Sequence, residues 1–211
     1  LGNYVNPMAM LDSYGADAIR LYILGSNFLK AEPMQIDKEG KVFNDTVKNI
    51  MTPLWNAYHF FTLYANAGNV TASGTPADEN VLDKYILTEL NALGHATHAA
   101  MADYKPDVVV RELTKFLDIL NNWYIRRGRA RFWDEEQDAF DTLHYVLSEL
   151  CKLMAPLAPF VTEHIYRNLN NGDSVHMCEY KQNEAFDNQE LLEDMRRVQS
   201  VVSVGKQSRE N

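Results

Sequence analysis

Asn122-Trp123-Tyr124-Ile125-Arg126-Arg127-Gly128-Arg129-Ala130-Arg131-Phe132-Trp133 sets four arginines between two aromatic pairs, and it continues an apolar stripe at Val109, Leu113, Phe116 or Leu117, Leu120 and Tyr124. Spacing of three and four residues is the mark of a helix with one buried face. The stripe predicts a helix that restarts at Lys105-Pro106-Asp107 and carries the arginines on its C-terminal half. From Ile119 to Trp133 there is no Asp or Glu, so the segment holds four positive charges in a chain whose 20 basic and 29 acidic residues sum to −9. Charge sorted in this way points to a polyanion. With a Debye length of about 8 Å at physiological salt, an arriving phosphate feels these arginines far more than distant carboxylates.

At 100° per residue, Arg126, Arg127 and Arg131 fall within an arc of about 140°, with Arg129 about 60° outside it on the Arg126 side. One broad basic face is expected. Arginine presents a fixed fork of donors suited to phosphate, and Trp or Tyr beside it can stack on a base or buttress a guanidinium. The candidate binding set is therefore Arg126, Arg127, Arg129 and Arg131 with Trp123, Tyr124 and Trp133. Binding through four phosphate contacts would weaken very roughly fiftyfold between 50 and 200 mM salt. Other readings stay open. Arginines near a helix C-terminus also suit the negative end of the macrodipole, and Trp123, Tyr124, Phe132 and Trp133 at helical spacing also suit a core. Gly128 costs about 1 kcal/mol against alanine inside a helix, which a close approach by another group would explain, as would drift at a tolerant position.

Outward from this segment the periodicity stays helical, and no stretch alternates with period two for long enough to propose a sheet. Asn6-Pro7 begins a short helix to Ser13, and Gly15 separates it from a second over Ala16 to Ser26. Asn27 to Gly40 reads as a connector. Phe43, Val47, Ile50, Leu54, Tyr58 and Phe61 predict a helix of ~40 Å from Lys41 to about Asn66, kinked at Pro53. After a loop from Ala67 to Ala77, Leu82, Ile86, Leu90, Leu93 and Thr97 mark a helix ending near Tyr104. Beyond the arginines, Phe140, Leu143, Leu147, Leu150 and Met154 mark another from about Glu135, and Phe160 to Leu169 a shorter one closed by Asn170-Asn171-Gly172. Ser174 to Tyr180 carries no decisive pattern. Leu191, Met195, Val198 and Val202 resume the helical spacing from Glu190 to about Gly205. The expected fold is all-α.

A chain of 211 residues, 46% hydrophobic, can bury a core without disulfides. Cys151 and Cys178 lack metal-ligand spacing, as expected of thiols in a reducing compartment, and the cytoplasm is the expected location. No apolar run reaches the roughly 20 residues that span a bilayer, so no membrane is expected. The opening Leu1-Gly2-Asn3-Tyr4-Val5-Asn6-Pro7 lacks a start methionine and reads as a cut from a longer polypeptide. His95 and His98 lack a carboxylate at ligand spacing, Asp141-x-x-His144 and Glu163-His164 read as ordinary surface or buried pairs, and no phosphate-cradling glycine loop is present.

Asn122 to Trp133 resembles the Asn-Trp-Tyr-Ile-Arg-Arg-Ser-Arg-x-Arg-Phe-Trp signature of isoleucyl-tRNA synthetases, with Gly128 in place of the usual Ser and Ala130 where a polar residue is common. The resemblance extends over nearly the whole chain. Leu1-Gly2-Asn3, Pro7 and Tyr14-Gly15-Ala16-Asp17-Ala18-Ile19-Arg20 are similar to the segment after the family's Lys-Met-Ser-Lys-Ser loop. Pro53-Leu54-Trp55-Asn56-Ala57-Tyr58, Leu153 to Glu163 and Ser174-Val175-His176 follow in the family's order and spacing. The valine enzymes are the nearest alternative branch.

The resemblance implies a helical bundle of the class I synthetase anticodon-binding type over residues 31–180, preceded by a stem-contact module over 1–30 and followed by the start of a C-terminal extension helix over 181–211. It implies as partners the isoleucine tRNA and the catalytic and editing domains of the same polypeptide, with no DNA. The parent enzyme would join isoleucine to its tRNA using ATP and Mg, while these 211 residues carry neither His-Ile-Gly-His nor Lys-Met-Ser-Lys-Ser, no catalytic residue and no cofactor or metal of their own. A different class of reading is a non-enzymatic helical scaffold whose arginines dock an acidic partner or the rest of their own polypeptide.

Overall fold

The computed structural model describes residues 6–26, 36, 40–77 and 79–210, and regular structure among them is helical throughout. Leu1-Gly2-Asn3, most of the connector and the expected domain boundary at residue 30 lie outside the described residues. Helix α1 spans Pro7–Tyr14: Asn6 caps it by accepting from the Met8 N–H at 3.0 Å, and Pro7 supplies a preset first turn. Gly15, at φ 78°, turns the chain into α2, Ala16–Gly25.

The third helical rod contains α3, Val42–Thr46, a π-helical turn, Val47–Met51, and α4, Thr52–Gly68. The irregularity expected at Pro53 falls just before it. Proline has no N–H to offer the carbonyl four residues back, and the backbone widens there, with the Thr52 N–H bonded to the Val47 carbonyl. Asn69, at φ 50°, ends α4 in a left-handed cap. Asn80 caps α5, Val81–Ala102, by accepting from the Leu82 N–H at 2.8 Å. The fourth rod joins α6, Pro106–Asp118, a second π-helical segment, Ile119–Ile125, and α7, Arg126–Trp133, so the arginines do sit on the C-terminal half of a long helix. Then come α8, Gln137–Met154, α9, Pro159–Leu169, and α10, Gln189–Glu210. The undecided stretch after Ser174 holds a single 3-10 turn, Val175–Met177.

The core lies among α4, α5, α6 and α8, where Leu54, Ile86, Leu113, Leu117 and Leu147 are buried, each contributing ~2 kcal/mol. Phe132, from inside the arginine segment, meets Phe60 and Phe140 edge-on at 5.0 and 5.2 Å. Leu21 of α2 belongs to the same core. Polar staples fix α2 there. Asp17 accepts from the Phe160 and Val161 N–H groups at 3.3 and 2.6 Å, capping α9 across the molecule, and Arg20 donates to the carbonyls of Pro156 and Leu157 at 2.9 and 3.1 Å. Helix α10 packs outside the bundle, with Leu192 and Met195 against Tyr85.

Candidate nucleic-acid interface

Packing divides the arginine segment into an inward and an outward set. Tyr124 and Phe132 face the core, so the core reading holds for them, whereas Trp133 is 76% exposed and Trp123 half-buried beside α10. Arg126, Arg127 and Arg129 are exposed, and none of them has a carboxylate partner among the described residues.

Arg131 corrects the expected broad face. Its Nη1 and Nη2 donate to Oδ1 and Oδ2 of Asp83 at 2.8 and 2.6 Å, Nε reaches both oxygens of Glu136 at 3.0 Å, and Nη2 also reaches Glu136 Oε1 at 2.7 Å. Its side chain is only 13% exposed. Tyr124 completes the network by donating its hydroxyl to Asp83 Oδ1 at 2.7 Å. Asp83 is fully buried at the start of α5, and a buried carboxylate demands a paired cation. Burial works against the charge on Arg131, but the bonds to Asp83 and Glu136 outweigh it and raise its pKa; burial and then the Asp83 charge raise that of Tyr124. Hydrogen bonds from Arg131 hold Glu136 below the usual carboxylate range. Arg131 and Tyr124 thus fasten the arginine helix to α5 within the bundle itself.

The outward arginines diverge. The Arg127 guanidinium lies 3.3 Å above the Trp123 ring, where burial and then Arg126 lower its pKa. Arg129 points the other way, 5.8 Å from the Phe60 ring on α4. Gly128 has no close neighbour: a Cβ there would meet only Phe132, at 3.6 Å. Asp134 and Glu135 follow Trp133 and are exposed, so the basic surface stops at the end of α7.

Two adjoining cavities lie along this helix, the second of them against the outward arginines. One, of about 310 Å³, lies between the two π-helical segments and is walled by Lys48, Asn49 and Asn56 on one side and by Asp118, Asn121 and Asn122 on the other. The second, of about 280 Å³, lies between Arg126, Arg127 and Trp123 and the Gln199 and Ser203 side of α10, and shares Asp118 and Asn122 with the first. Sequence reasoning missed this wall. The paired amides Asn121-Asn122 just ahead of the arginines were its only signal, and the widened turn that presents them has no sequence mark.

The remaining polar pairs do structural work. Asp141 accepts from the Ser73 N–H at 2.6 Å and from Gln137 at 2.9 Å, and His144 bonds the Leu169 carbonyl at 3.0 Å, so those two do not pair. Glu163 accepts from the Ser174 hydroxyl and the Val175 N–H, both at 3.0 Å, and His164 stacks on Trp55. Among the described residues no His, Cys, Asp and Glu side chains gather as a metal site.

Residues 83–211 match the family model described as the anticodon-binding domain of tRNA ligase. The isoleucine–tRNA ligase of Protochlamydia amoebophila (strain UWE25) is 41% identical over 215 residues, which cover 97% of this chain and 20% of that protein. That of Rickettsia canadensis (strain McKiel) is 41% identical over 176 residues, covering 81% of this chain and 16% of that protein. The chain thus spans about a fifth of the length of these relatives. Among solved structures, a ternary complex of Agrobacterium radiobacter K84 agnB2 LeuRS with tRNA and LeuAMS superposes with a TM-score of 0.64 at 18% identity, covering 89% of this chain and 22% of that one, and it speaks for the fold alone. On the strength of the family match, which takes in the arginine helix and everything after it, the chain belongs to the anticodon-binding domains of tRNA ligases.

Proposed function

We propose that this chain is the tRNA-recognition part of an isoleucine–tRNA ligase, the enzyme that joins isoleucine to its tRNA using ATP. The isoleucine–tRNA ligases among its relatives support the branch, and the three outward guanidiniums without carboxylate partners carry the reading of the surface. Arg126, Arg127 and Arg129 offer forked donors to phosphates, and exposed Trp133 offers a ring on which an unpaired base can stack. The acidic remainder of the chain repels the polyanion elsewhere and favours approach to this end of α7. ATP and Mg act in the catalytic part of the ligase, to which this chain contributes no reacting group, and the catalytic and editing domains are its partners within one cytoplasmic polypeptide.

With Arg131 committed inside, three phosphate contacts remain, and tRNA affinity should fall about twentyfold between 50 and 200 mM salt. Replacing Arg126, Arg127 and Arg129 together by alanine should remove most of that dependence in a fluorescence-anisotropy titration. An unchanged salt slope in the triple variant would overturn the assignment.

A further inference from the structure

Building on the proposed tRNA-binding role, we propose that the wall formed by Asp118, Asn121 and Asn122 takes an unpaired guanine, with its phosphate against Arg126 and Arg127. Adjoining cavities, one rich in amides and one in guanidiniums, carry the idea. The cavity beside Arg126 and Arg127 carries two guanidiniums, whereas the one between the π-helical segments is lined by four amides with Lys48 as its one cation, and Asp118 and Asn122 belong to both. A nucleotide has the same division, a phosphate and a base on either side of one ribose. Widened turns of this kind recur where a helix must present side chains that regular geometry would not, and here two of them face the same space.

The choice of base follows from which polar atoms the fold has already used. Asn121 Nδ2 donates to the carbonyls of Pro53 and Leu117 at 3.1 and 2.9 Å, and Asn122 Nδ2 donates to Asp118 Oδ1 at 2.6 Å. Asp118 Oδ2, Asn121 Oδ1 and Asn122 Oδ1 make no hydrogen bond among the described residues. The wall therefore presents acceptors. Guanine alone among the four bases carries two adjacent N–H donors, N1 and the N2 amino group, on its Watson–Crick edge, and a carboxylate accepts both. The charge on Asp118 also offsets that of Lys48, so this cavity has no net positive charge to draw a bare phosphate, which separates a base site from an extension of the basic surface.

The chain should be titrated with two labelled RNA hairpins that differ at one position of an otherwise uridine loop, guanine in one and inosine, which lacks the N2 amino group, in the other. Wild type should bind the guanine hairpin about tenfold more tightly. Asp118→Asn, at an exposed position, should erase that preference while leaving the salt slope intact, and Asn122→Ala should weaken it. Equal affinity of wild type for the two hairpins would overturn the guanine site and leave the tRNA-binding proposal standing. So would an Asp118→Asn variant that binds both more tightly, as expected of a site for phosphate alone. Failure to bind either hairpin or tRNA would overturn both proposals.

Discussion

Arg131 and Arg126 lie five residues apart in one basic segment and do opposite work. The difference was not legible in the sequence, because the partner that claims Arg131 is Asp83, on another helix and far along the chain. Asp83→Asn should cost ~3 kcal/mol in urea unfolding, since it leaves Arg131 half-paired in a site of low exposure, whereas Arg126→Ala should change stability by less than ~0.5 kcal/mol. Gly128 offers the reverse test. Nothing approaches it closely, so Gly128→Ala should raise stability by about 0.5–1 kcal/mol without altering RNA affinity. The two thiols also differ. Cys151 is fully buried, and burial pushes its pKa up to about 12 from an ordinary value of 9.0, while Cys178 is half-buried with its sulfur 3.2 Å from the Tyr166 hydroxyl. The folded state therefore keeps the Cys151 proton where the unfolded chain loses it, and this group makes stability fall as pH rises from about 9 to about 12. A thiol reagent at neutral pH should label Cys178 alone until the chain is unfolded; rapid native labelling of Cys151 would contradict the packing.

At the scale of elements, the stripes were readable and the junctions were not. The apolar spacing located the helices because burial imposes a 3.6-residue period, and caps such as Asn6 and Asn80 stand where the chemistry of a first turn needs them. The π-helical segments were invisible, since a widened turn arises from a competition between backbone bonding and packing that no local pattern records. The staple between α2 and α9 was equally hidden: Asp17 and Arg20 act on residues more than a hundred positions away. Family-like stretches meet in space there, Gly15-Ala16-Asp17 against Pro156 to Val161 and Thr162-Glu163 against Ser174-Val175. Asp17→Ala should cost about 1–2 kcal/mol, and hydrogen exchange should show it first as faster opening of the α9 N-terminus. Protection confined to its wild-type pattern would mean that α9 holds its first turn without that cap.

Over the whole molecule, the all-α architecture and the family were legible from periodicity and from a dozen consecutive residues. The site was legible only in part, because a linear charge count cannot tell a guanidinium that meets solvent from one that neutralises a buried carboxylate. What remains outward is a small basic end on an acidic bundle, bordered by amide-lined and arginine-lined cavities. Such a surface should prefer a structured RNA that places phosphates and unpaired bases close together over a duplex of equal charge. The most direct measurement is the equilibrium affinity of this chain for labelled isoleucine tRNA, compared with the same tRNA whose anticodon loop has been exchanged for that of a non-cognate tRNA. Saturable binding to the first, weakened at least severalfold by the exchange, is the expected result; equal affinity for both, or no saturable binding at all, would contradict recognition of the anticodon by this bundle.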